Sequence, residues 1–132
     1  MTNARKPLRA RAYRSTFLRS PAWFARRDTW FATQARTGRP LTCAACGQTA
    51  TKRGLEMHHI SYARVHRTRG GRWVAGETHD DLVPMHPYCH ELLHRLIDRD
   101  AVLARHRDRH AASTLALDTL RRTLTGPGRS TR

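Results

Sequence analysis

The chain has 132 residues, 25 of them Lys or Arg against 10 Asp or Glu, for a formal charge of +15 with 39% hydrophobic residues. That length suits one domain and is too short for two full cores. No apolar run reaches the roughly 18 residues of a membrane helix, and the basic amino terminus lacks the apolar centre of a secretory signal, so a soluble cytoplasmic protein is expected.

The charge is uneven: residues 1–42 hold ten Lys or Arg against one acid, residues 43–90 six against four, and residues 91–132 nine against five. Residues 1–14 show no apolar period and read as a flexible basic arm, in which Arg5, Lys6, Arg9, Arg11 and Arg14 form a footprint for phosphate backbones. An Arg-rich background with no partner is the plainer explanation of the same charge. Ser20 and Pro21 are a helix cap and first helical residue. The helix that follows carries Trp23, Phe24, Trp30 and Phe31 as a core-facing aromatic set, and Gly38 and Pro40 end it.

Residues 41–54 are turn-rich. Leu55 to Tyr62 suits a strand, Arg69-Gly70-Gly71-Arg72 a turn, and Trp73-Val74-Ala75 a returning strand. Leu82-Val83-Pro84-Met85 is extended. Pro87 opens a second helix to about Asp100, with Leu92, Leu93, Leu96 and Ile97 on its buried side. A third helical pattern covers residues 101–125, and residues 126–132 read as a disordered tail. Its Leu117, Leu120 and Leu124 are expected to pack back on the domain, which makes a monomer the expectation over a dimer. The leading helix and the central domain together span residues 15–100.

Three cysteines cannot all pair, and without an export signal a disulfide framework is the weaker reading. Cys43-x-x-Cys46 and His86-x-x-Cys89 together form a Cys3His set, four ligands of the kind that close a tetrahedral structural Zn2+ site. The competing reading, a Cys43/Cys46 redox pair with Cys89 in the core, lacks the surrounding βαβ pattern. In so small a domain the ion substitutes for missing core.

A second constellation lies beside the first. His58 and His59 are adjacent on a strand and so face opposite ways, while His90 and His94, four apart on a helix, share a face. Glu56 either orients one of these histidines or is a solvated strand residue.

The string Cys43-x-x-Cys46, LEMHHISY and HDDLVPMHPYCHELLH resembles the HNH nuclease family, over about residues 13–98. The resemblance implies an α+β fold, a small ββα-metal domain with zinc knuckles, flanked here by amino- and carboxy-terminal helices. It implies a DNA endonuclease, phage or bacterial in type, acting on double-stranded DNA; a chain this small has no obvious separate specificity domain, so low sequence specificity is expected. In it His59 is the general base and His58, His90 and His94 hold one catalytic divalent ion, Mg2+, Mn2+, Ni2+ or Zn2+. The family's middle Asn falls on Asp81, a departure, since an ionised Asp cannot donate hydrogen bonds as Asn does. His86 in place of the usual third cysteine is a second departure. Two other classes compete: a non-catalytic zinc-stabilised DNA-binding module, and an RNA-binding or ribosome-associated zinc ribbon, which would leave both histidine pairs unexplained.

Overall fold

The computed structural model describes residues 8–103 and 108–126. Among these, four helices and four short strands form a small α+β fold: α1 (Leu8–Phe17), α2 (Pro21–Arg36), β1 (Glu56–His59), β2 (Val65–Arg67), β3 (Trp73–Ala75), β4 (Leu82–Met85), α3 (Pro87–Leu103) and α4 (Arg109–Thr125). No helix among them is long and apolar enough to cross a membrane.

Helix α1 begins inside the segment whose lack of an apolar period suggests an arm. Two aromatics four residues apart hold it: the rings of Tyr13 and Phe17 lie 4.6 and 5.4 Å from that of Trp73. A stripe so narrow leaves little periodicity to read. Arg5 and Lys6 lie outside the described residues, as does the tail after Gly126; Arg9 and Arg11 fall on the α1 backbone.

Helix α2 starts as its sequence suggests, the Ser20 hydroxyl accepting the Trp23 amide at 3.2 Å. Trp23, Trp30 and Phe31 are buried, but Phe24 is 53% exposed. The difference from Phe31, one helical repeat away, is tertiary. Arg27 and Lys52 cover the Phe31 ring, their cations 4.8 and 5.6 Å from its centre.

The strand pairing corrects one expectation. Trp73–Ala75 does not return against residues 55–62; it pairs with β2, Val65 opposite Ala75 and Arg67 opposite Trp73. The tight turn at residues 68–72 joins only its immediate flanks. β1 instead pairs antiparallel with β4, from Glu56 opposite Met85 to His59 opposite Leu82. Helix α3 follows β4 directly and packs on β1 and α4. Residues 101–103 close α3 rather than opening a new helix. α4 has its own cap, Asp108 Oδ1 accepting the Ala111 amide at 2.8 Å. Leu117 and Leu120 are each 5% exposed and belong to the domain's own core, with Leu124 partly buried against it.

Candidate metal centres and cleft

Cys43 and Cys46 lie on the loop before β1, His86 follows β4, and Cys89 is in the first turn of α3. Their ligand atoms all lie within 4.8 Å of one another. The loop is fastened to β4 by the Ala44 amide on the Pro84 carbonyl, 2.8 Å, and turns back at Gly47 with a φ of +76°, a conformation suited to glycine. His86 presents Nδ1 to Cys46 Sγ at 3.5 Å, and its amide lies 3.4 Å from Cys43 Sγ.

Burial resists ionisation of the Cys43 thiol, but the amides of Cys46, His86 and Ala45 outweigh it and bring its pKa to about 7. Burial, reinforced by the neighbouring sulfurs, drives Cys89 the other way, to about 12. Crowded thiolates repel one another, and a cation among them removes that penalty. Three thiols and an imidazole gathered this closely suit a metal ion, Zn2+ above others.

Three imidazoles form the second cluster. His58 Nδ1 lies 3.2 Å from His90 Nε2, which lies 3.0 Å from His94 Nε2, all ligand atoms falling within 4.8 Å. The far side of each of two rings is held. Glu56 Oε1 meets His90 Nδ1 at 2.9 Å, and Ser113 Oγ on α4 meets His58 Nε2 at 2.9 Å. A carboxylate only accepts, so Nδ1 of His90 carries the hydrogen and Nε2 turns a lone pair inward. Of the two readings of Glu56, the orienting one matches the geometry. Burial, then the charge of Arg109 and the two partner histidines, pushes His58 down to about 2 and keeps its ring neutral. Three imidazole nitrogens converging on one point make a donor set that fits a cation.

His59, next to His58 on β1, meets a different set of partners. Its ring is buried, stacked on Tyr62 at 4.2 Å and flanked by Trp23 at 4.7 Å. His59 Nε2 is 2.6 Å from Glu77 Oε2, a carboxylate that is itself buried. Burial lowers the imidazole's pKa, and Glu77 restores part of the loss. Glu77 is fixed by its backbone: its carbonyl accepts from Arg26 Nε at 2.9 Å. The preceding Gly76 lies so near the Arg64 carbonyl that a Cβ there would come within 2.8 Å of it.

Asp81 does not join either cluster. Burial opposes its charge, but the Thr78 amide at 2.9 Å and Arg64 at 2.9 and 3.1 Å outweigh it and lower the carboxyl's pKa. Its backbone carbonyl accepts the Ile60 amide at 2.8 Å, which anchors the chain just after His59.

The histidine cluster and His59 open on one cleft of about 450 Å3, whose wall also includes Arg14, Tyr62 and Arg109. Of the proposed basic contacts, Arg14 is thus at the site. Glu77, Ser113 and Arg109 have no counterpart in the sequence reading: each is a lone polar residue without a ligand-like spacing. The chain matches no protein-family model, no curated protein and no solved structure.

Proposed function

We propose that the chain is a metal-dependent endonuclease of the HNH type that hydrolyses phosphodiester bonds of double-stranded DNA with low sequence specificity. The observation that carries this reading is the shared cleft, where three converging imidazoles stand beside a histidine held by a buried carboxylate.

His59 is the general base. With Nε2 on Glu77, the remaining ring nitrogen, Nδ1, takes the proton of the attacking water, and the depressed pKa keeps the ring neutral near pH 7. The water oxygen bonds to phosphorus as the bond to the 3′ oxygen breaks, and that oxygen takes a proton from solvent. Asp81 acts through the backbone, bracing the segment after the base. His58, His90 and His94 would hold one divalent cation, which when bound supplies positive charge to the scissile phosphate and the departing oxygen. Imidazole donors weight the metal toward Zn2+ or Ni2+ over Mn2+ and, last, Mg2+.

The second reading, a non-catalytic zinc-stabilised DNA-binding module, draws on the 2% exposure of His59 and on Asp81 standing where the family has Asn. Supercoiled plasmid incubated with each divalent metal separates the two. The wild-type chain is expected to nick it, and His59→Ala to lose about 10²-fold or more of the rate, the usual contribution of a general base, while still shifting DNA in a gel. Equal nicking by the variant under the same metal would remove His59 from the mechanism. No nicking by the wild type under any metal would leave the binding module.

A further inference from the structure

Two guanidiniums from opposite ends of the chain meet in the cleft. Arg14 comes from α1 and Arg109 from the first turn of α4, and their charged carbons stand 4.8 and 4.9 Å from the centre of the Tyr62 ring. Both line the same wall as His58, His59, His90 and His94. Arg109 is tied to the base by its Nε, which donates to the His59 carbonyl at 2.9 Å. Arg14 Nη1 is buried with no hydrogen-bond partner, one of two such side-chain atoms among the described residues. The other is Glu77 Oε1.

Bringing like charges together out of water is unfavourable unless an anion joins them, and an orphaned buried donor marks where its acceptor would sit. Burial, with the nearness of Arg14, works against the charge on Arg109, and Tyr62 and Asp98 offset only part of it. A guanidinium offers flat, paired donors that match the oxygens of a phosphate.

We infer that Arg14 and Arg109, each packed against the Tyr62 ring, seat a phosphate oxygen of the DNA backbone next to the histidine cluster, which makes α4 part of the working site. The identity of the anion rests on the endonuclease reading; the seat itself rests on the paired guanidiniums. α4 thereby contributes twice, through Arg109 to the phosphate and through Ser113 to the orientation of His58.

The test uses the full zinc-loaded chain and two probes. Inorganic phosphate is titrated while the arginine side-chain and His59 amide NMR signals are followed, and a short DNA duplex is cleaved in single turnover. Arg14→Gln and Arg109→Gln are each expected to weaken phosphate binding about ten-fold or more, as the loss of a charged hydrogen bond does. Cleavage should slow about 10²-fold, the loss typical of one donor to a developing oxyanion. Arg122→Gln removes the same charge from the outer face of α4, where Arg122 pairs with Asp118, and should change neither.

Arg109→Lys keeps the charge without the fork and should recover only part of the rate. If Arg109→Gln fails to melt cooperatively, Arg14→Gln and Arg109→Lys decide. Wild-type phosphate binding in both substituted chains, or no response to phosphate in the wild type, overturns the seat even if DNA is cleaved. Arginine-dependent phosphate binding in a chain that cleaves nothing upholds the seat and overturns the nuclease.

Discussion

The two ligand clusters share helix α3, where Cys89 serves one and His90 the other, yet they are built to different ends. The sulfur cluster has four donors, from the loop before β1, the residue after β4 and the first turn of α3, enough to complete a tetrahedral set around an ion. The imidazole cluster has three donors and opens on the cleft. A fourth protein ligand seals a tetrahedral ion, and leaving it out keeps a position for something from solution. Supporting groups follow the same division: backbone amides surround Cys43, whereas Glu56 and Ser113 aim the rings of the open cluster. What separates the two clusters is donor number and access, more than the kind of residue used.

The largest break in that comparison is Cys43→Ser. Structural zinc contributes on the order of 10 kcal/mol to folding, comparable to the whole stability of a small domain. The variant should show no cooperative melting transition by circular dichroism, with or without added zinc. A melting curve like that of the wild type would mean the loops around Cys43 hold without an ion.

Removing one ligand of the open cluster should do far less. His94→Ala is expected to retain the fold, its melting temperature moving less than about 4 °C, the shift that accompanies roughly 1 kcal/mol in a domain of this size. The same variant should lose one metal equivalent of two by elemental analysis and lose DNA nicking with it. Unfolding on this substitution would make the imidazole cluster a second clamp and erase the distinction.

The sulfur half of this arrangement was the more legible in the sequence, for a physical reason. Chelating turns bring their ligands together locally, so Cys43-x-x-Cys46 and His86-x-x-Cys89 display their geometry in their spacing. The His90/His94 pair is read the same way from helical pitch. Helix α2 was legible from its cap. Groups that act on a ligand from behind need no fixed separation from it. Glu77 reaches His59 across the β2–β3 hairpin, and Ser113 reaches His58 across most of the domain. The pairing of β1 with β4 rather than with Trp73–Ala75 was hidden likewise, since an apolar strand does not name its partner. Helix α1 was missed because one narrow aromatic edge, not an amphipathic face, binds it.

The smallest expected effect concerns the wall of the open centre and asks whether access to the cleft means looseness. Tyr62 touches His59 and the two arginines, and burial raises its pKa above the ordinary value of 10 although Arg109 and Arg14 pull it down. The unfolded chain therefore gives up this proton at a lower pH than the folded one does. Its contribution to stability is complete below pH 10 and is lost as pH rises through the folded-state value. Tyr62→Phe has no such proton. At neutral pH its stability should stay within about 1 kcal/mol of the wild type, the middle of the range for single substitutions. Above pH 10 the wild type should lose stability faster than the variant. The difference between their alkaline absorbance titrations isolates the Tyr62 phenolate, which should form above pH 10. A step at or below that value would mean water reaches the ring freely, and the wall that positions His59 would then be as open as the cleft it borders.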